Sequence, residues 1–133
     1  THTVWLNGRF LPAAEATVSI FDRSFLYGDG LFETIRVYGG RPFLWAEHLR
    51  RLHEGAGFLG IRIPHPDAEL ARAAGELIRR NALPESTLRL HLSRGVGSRG
   101  YSPRGADSPT VVLTLHPSRT HDPANPARWK LIT

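Results

Sequence analysis

The sequence predicts an α+β fold, an antiparallel β-sheet with two α-helices packed on one face. Three observations carry that prediction. Residues 87–93, T-L-R-L-H-L-S, alternate apolar and polar side chains, the mark of a half-buried strand. Asn7-Gly8 and Gly39-Gly40 are hairpin pairs, so neighbouring strands run antiparallel. Between the early and late strands lie two consecutive segments with apolar residues at helical spacing, which need a common sheet face to cover.

In chain order, T-V-W-L-N-G-R-F-L-P reads as two short strands around a type I′ turn at Asn7-Gly8. A-E-A-T-V-S-I-F-D follows as a short β-prone run leading into a glycine-punctuated loop, S-F-L-Y-G-D-G. Leu31 to Tyr38 is rich in β-branched and aromatic residues and reads as a strand. R-P-F-L-W returns antiparallel after Gly39-Gly40, with Pro42 confining it to an edge or a strand start. The first helix spans 46–59, with Leu49, Leu52, Ala56 and Leu59 inward and glycines at 55, 57 and 60 weakening its second half. The second follows Pro66-Asp67, with Leu70, Ala74, Leu77 and Ile78 on one face and Asn81 and Pro84 as stop signals. Leu88, Leu90 and Leu92 then point inward from the next strand, and Arg89, His91 and Ser93 outward. R-G-V-G-S-R-G-Y-S-P-R-G-A-D-S-P is a loop longer than a hairpin needs. T-V-V-L-T-L-H resumes the sheet, and A-R-W-K-L-I-T starts a further strand.

Composition bounds the function. At 133 residues, 41% hydrophobic and 22% charged, the chain suits one globular domain rather than a disordered segment. It carries no apolar run long enough to span a bilayer and no signal-peptide pattern, so the expected setting is cytoplasmic, with no membrane partner. Without cysteine there is no disulfide framework and no thiolate metal site, and no metal is expected. The net charge of +5 comes from scattered arginines without interleaved aromatics, which argues against nucleic-acid binding; a basic, non-enzymatic anion-binding domain stays as an outside alternative. Of the 17 basic residues only Lys130 is a lysine, so chemistry needing a lysine nucleophile has one candidate here. The lack of methionine and the apolar ending W-K-L-I-T read as the N-terminal part of something longer: residues 1–120 an α+β domain, 121–133 a connector and first strand leading to a missing C-terminal domain.

Chemistry concentrates around one strand. Period-two geometry puts Phe32, Thr34, Arg36 and Tyr38 on one face, and Leu31, Ile35 and Val37 on the other, where Glu33 needs a partner or an edge position. Asp29 of Y-G-D-G can close an Asx-turn or accept backbone N–H groups. A phosphate-cradling role for the two glycines requires a helix N-terminus after them, and a strand follows instead. Arg51 lies at the border of the first helix's apolar face; on its own it reads as an exposed helix arginine.

Taken together, D-R-S-F-L-Y-G-D-G-L-F-E-T-I-R-V-Y, then G-G-R-P-F, then E-H-L-R-R-L resembles the signature of class IV aminotransferases. These fold-type IV enzymes use pyridoxal 5'-phosphate and include branched-chain and D-amino-acid aminotransferases and aminodeoxychorismate lyase. The resemblance extends to the late loop R-G-V-G-S-R-G-Y-S-P and so covers essentially the whole chain as an N-terminal domain. It implies that Arg51 anchors the cofactor phosphate, a role that suits a permanent, forked cation. It implies that Tyr27, Phe32 and Arg36 line the substrate pocket and that Arg99 and Tyr101 hold the substrate carboxylate. Tyr27 and the late loop are expected to serve the site across a homodimer, with Gly28 and Gly30 as hinges for Tyr27. His48 reads as structural, a packed or capping imidazole.

The resemblance further implies that the lysine bonding covalently to the cofactor lies beyond this chain, as do the carboxylate facing the pyridine nitrogen and a second phosphate loop. Lys130 does not match that lysine, so no catalytic residue is assigned here and the chain alone is expected to be inactive. Two reactions follow for the complete enzyme: transfer of an amino group from an amino acid to a 2-oxo acid, favoured here, or elimination of pyruvate from aminodeoxychorismate to give 4-aminobenzoate for folate synthesis.

Overall fold

Asn7 and Gly8 both take positive φ, 47° and 89°, as a type I′ turn demands, and they join β1 (Thr3–Leu6) to β2 (Arg9–Pro12). This hairpin begins the computed structural model, which describes residues 2–118 and 122–132. After it come α1 (Arg23–Tyr27), β3 (Gly30–Tyr38), β4 (Arg41–Pro42), α2 (Trp45–Leu59), α3 (Asp67–Asn81), β5 (Ser86–Ser93) and β6 (Thr110–Pro117). The six strands form one sheet in the order β2-β1-β6-β5-β3-β4, with every neighbouring pair antiparallel.

The core lies between one face of that sheet and the two long helices, as the alternating strands require. Ile35 and Val37 of β3, Leu88, Leu90 and Leu92 of β5, and Leu113 and Leu115 of β6 are fully buried there. They meet Leu49, Leu52 and Ala56 of α2, and Leu70, Ala74 and Leu77 of α3, the residues picked out by helical spacing. β4 is the edge strand expected from Pro42 but only two residues long: the Phe43 N–H still reaches the Arg36 carbonyl at 2.7 Å, and the chain then turns into α2.

The glycines of α2 do not break it. A Cβ on Gly55 would lie 2.7 Å from Cδ1 of Leu31, so the missing side chain lets the helix sit close on β3. Gly60 ends the helix in the left-handed conformation, its N–H reaching the carbonyls of Ala56 and Gly57.

Three expectations about local structure need correction. A-E-A-T-V-S-I-F-D forms no strand; its one ladder-like contact among the described residues is a single bridge from its last residue, Asp22, to Val96, and Val18, Ile20 and Phe21 stay exposed. β-propensity alone does not add a segment to the sheet. The segment before Gly28 is a five-residue helix, α1, too short to show periodicity. Residues 126–132 form no strand either, and Trp129, Leu131 and Ile132 are exposed with no neighbouring strand beside them.

At the end of α3, Ala82 holds the left-handed conformation (φ 52°, ψ 42°) while its N–H caps the carbonyls of Ile78 and Arg79. A Cβ is unfavourable there and glycine is at ease. Ala82→Gly is therefore expected to stabilise the fold by about 0.5–1 kcal/mol, after the loss to unfolded-chain entropy. Urea denaturation checks it: the midpoint should rise, and a lowered midpoint would refute the cap.

Candidate functional site

The sheet face away from the helices carries the predicted substrate-side residues. On β3, Phe32, Thr34 and Tyr38 are exposed and Arg36 is half-buried. Antiparallel register sets His91 of β5 beside Phe32, and Arg89 beside Thr34. Arg89 lies over the Phe32 ring, its guanidinium carbon 4.0 Å from the centroid, and the His91 ring stands 5.5 Å from the same ring. Nε of Arg89 is buried without a hydrogen-bond partner among the described residues. Such a donor is uncommon in a folded chain and calls for an acceptor. Burial, and next the charge of Arg89, push the His91 imidazole below its ordinary value despite Asp22 pulling the other way. His91 is therefore neutral at neutral pH.

Arg36 is already engaged, pairing with Glu85 at 3.4 Å and lying 4.8 Å from the Tyr38 ring. From the sequence, Arg89 and His91 read only as outward-facing residues of β5. Their position across from Phe32 and Thr34 was the available signal.

The Y-G-D-G segment has a different purpose from the one expected. Gly28 takes φ 66° as the cap that ends α1, and its N–H reaches the carbonyls of Arg23 and Ser24. Gly30 allows close approach: a Cβ there would meet the Leu92 carbonyl oxygen at 2.6 Å. The glycines thus fix Tyr27 instead of hinging it. The Tyr27 hydroxyl accepts the Gly100 N–H at 3.2 Å, and its ring stands 5.4 Å from Tyr101. Tyr27 and the late loop, 73 residues apart in sequence, are one local unit. Arg99 and Tyr101 project from that unit as exposed side chains.

Asp22 ties the start of α1 to the sheet. Its carboxylate accepts from the Ser24 N–H as an N-cap, from the Thr110 hydroxyl at 2.8 Å, and from the Ser93 hydroxyl. Beside it a cavity of about 230 Å³ opens, lined by Val18, Phe25, His91 and Val112 among others. Asp29 closes no Asx-turn. It accepts from the guanidinium groups of both Arg23 and Arg94 at 2.8 Å. Burial raises the Asp29 carboxyl, but the hydrogen bonds and charges of Arg94 and Arg23 outweigh it and hold the group below the ordinary carboxylate value. The stabilisation is present above the ordinary value and is lost as pH falls through the lowered one.

Arg51 stands on the other side of β3, with the helices. The partner that Glu33 needs is supplied by α2: its buried carboxylate takes His48 Nδ1 at 2.6 Å through one oxygen and Arg51 at 3.1 Å through the other. His48 is thus a packed partner and not a cap. The Arg51 side chain remains 65% exposed, and its Nη1 makes no hydrogen bond among the described residues. A guanidinium held by one edge with the rest open to solvent fits a phosphate, which it can meet with two parallel N–H donors. Among the described residues no three His, Asp or Glu side chains could hold a metal, and no helix is long and apolar enough to cross a membrane.

Known proteins resemble this chain in sequence and in fold. A sequence model described as "Amino-transferase class IV" matches residues 30–133. The "Putative branched-chain-amino-acid aminotransferase" of Methanocaldococcus jannaschii is 43% identical over 114 residues, covering 86% of this chain and 40% of that protein. Among solved structures, the T.th. branched-chain amino acid aminotransferase with pyridoxamine 5'-phosphate matches 90% of this chain and 40% of its own, with TM-score 0.83 and 29% identity. The 4-amino-4-deoxychorismate lyase of Pseudomonas aeruginosa matches 90% of this chain and 41% of its own, with TM-score 0.69 and 39% identity. The chain therefore spans about two fifths of the length of the curated relatives it matches.

Proposed function

Because the chain belongs to the class IV amino-transferase family, we propose that it is the N-terminal part of a pyridoxal-phosphate-dependent aminotransferase moving an amino group from an amino acid to a 2-oxo acid. The observation that carries this reading is Arg51, exposed yet aimed by the buried Glu33. In the proposal, residues 1–120 form the N-terminal domain and 121–133 lead toward a second domain holding the covalent lysine; this chain alone is inactive. The complete enzyme is placed in the cytoplasm as a homodimer.

Pyridoxal phosphate, when bound, supplies an electron-withdrawing ring that makes an amino acid's α-proton acidic. The remaining contributions come from the chain's own side chains. Arg51 holds the phosphate, and Glu33 fixes the direction of its fork. Phe32 gives the substrate an apolar wall. Arg89 stacks over Phe32, and the exposed Arg99 and Tyr101 offer donors to carboxylate groups. Tyr27 supports the loop that presents the last two. Arg36 shapes the far end of the same face through Glu85 and Tyr38.

A second reading, aminodeoxychorismate lyase, is favoured by the likeness to the Pseudomonas aeruginosa lyase at 39% identity. The test uses the full-length protein with amino donors plus 2-oxoglutarate and, separately, with aminodeoxychorismate. Amino transfer is the expected result. Pyruvate and 4-aminobenzoate without amino transfer would replace the aminotransferase reading with the lyase.

A further inference from the structure

Arg23 is a charged residue with a burial more typical of leucine. It is 3% exposed, although it sits on a five-residue surface helix. Burying a guanidinium is costly unless its nitrogens find acceptors, and here each of the three donates. Nε donates to Asp29 Oδ2 at 2.8 Å. Nη1 donates to the carbonyls of Gly100 at 2.8 Å and Ser102 at 3.2 Å, and Nη2 to the carbonyl of Tyr101 at 2.9 Å. Three consecutive carbonyls of the late loop thus face one planar cation. The guanidinium carbon also lies 4.9 Å from the Tyr27 ring centroid.

The surroundings are arranged for this contact. Gly97 leaves room for the arginine stem, because a Cβ there would lie 3.0 Å from Arg23 Cδ and 2.8 Å from Ala106 Cβ. Asp29 Oδ2 also takes Arg94, whose Nη2 donates to the Leu59 carbonyl at the end of α2. The loop is held at its first residue and at its middle through a single carboxylate.

Arg23 itself is turned inward, whereas the side chains of Arg99 and Tyr101 are left exposed. We infer that Arg23 is a positioning residue for carboxylate recognition: it sets the backbone at 100–102 so that Arg99 and Tyr101 are presented in one fixed geometry. The inference rests on the proposed role of Arg99 and Tyr101. Lysine cannot replace it, since a compact ammonium has no planar fork to span three carbonyls and a carboxylate at once.

The test compares Arg23→Lys with Arg99→Ala in the full-length holoenzyme. Three readouts are needed: backbone hydrogen exchange over 97–106, KM and kcat for the amino acid and oxo acid, and cofactor retention. Arg23→Lys should speed exchange in the loop at least tenfold and leave β5 and β6 protected. It should raise KM at least tenfold, as Arg99→Ala does, with kcat within about twofold and cofactor retention unchanged. Unchanged loop exchange would overturn the inference. So would faster exchange with unchanged KM while Arg99→Ala raises KM, since Arg23 would then be structural only. If Arg99→Ala leaves KM unmoved, the carboxylate role of the loop has failed, and the inference falls with it for that separate and identifiable reason. Should Arg23→Lys not fold, Asp29→Asn removes the anchoring charge at constant shape and is read by the same three measurements.

Discussion

Arg51→Ala in the full-length protein is expected to weaken retention of pyridoxal phosphate by roughly 30- to 1,000-fold, the equivalent of about 2–4 kcal/mol for a lost charge-assisted bidentate contact. The fold should hardly notice. The Arg51 side chain is 65% exposed, and its ion pair is the weaker half of an arrangement in which Glu33 keeps His48 at 2.6 Å. Loss of such a pair costs about 1 kcal/mol or less after solvent screening. Cofactor titration of the apoprotein, set beside thermal unfolding of the same apoprotein, separates the two quantities. Unchanged cofactor affinity would remove Arg51 from the phosphate site. A large fall in melting temperature would make it a structural residue.

The opposite profile is expected for Leu90→Ala. Leu90 is 0% exposed in β5, the central strand that pairs with both β3 and β6. Its register neighbours are Glu33 and Leu113, both buried on the same face beneath the helices. Truncation there removes three heavy atoms from a packed interior and leaves a cavity the sheet cannot close. The expected cost is about 3 kcal/mol or more, within the range for leucine-to-alanine changes in cores. That is a large share of the total stability of an ordinary domain. Urea denaturation measures it, and Leu131→Ala serves as the contrast: Leu131 is 89% exposed and its loss should change stability by less than about 0.5 kcal/mol. Similar effects at both positions would contradict the assigned core.

Where burial repeats along the chain, the sequence was easy to read. Alternation in β5 set Leu88, Leu90 and Leu92 inward, and spacing in α3 set Leu70, Ala74, Leu77 and Ile78 against the sheet. Short or singly anchored features were harder. α1 has five residues, fewer than two turns, and is held by the Asp22 cap and by Arg23 contacts to residues 77 and 78 positions away. Nothing in local composition announces such contacts. T-V-S-I has strand-like residues but joins no strand, so propensity misled where tertiary context decided.

The candidate site divides the same way. That Glu33 needs a partner follows from its place on an apolar face, but its pairing with His48 and Arg51 depends on how α2 lies over β3. The Gly55 contact with Leu31 is part of what sets that approach. Tyr27, Arg99 and Tyr101 could be singled out only through family resemblance, and their union through the Gly100 N–H and Arg23 appears only in three dimensions. Arg89 was visible as an outward arginine; its unpartnered Nε was not.

The proposed function stands or falls on whether α2 offers the cofactor a phosphate anchor at Arg51, oriented by Glu33. A crystal structure of the full-length protein with pyridoxal phosphate decides it, through the distances from the Arg51 guanidinium to the phosphate oxygens. Charge-assisted hydrogen bonds of about 2.7–2.9 Å from Arg51 to that phosphate are expected, with the Glu33 contact retained. A phosphate bound elsewhere, with Arg51 still in solvent, would refute the anchor.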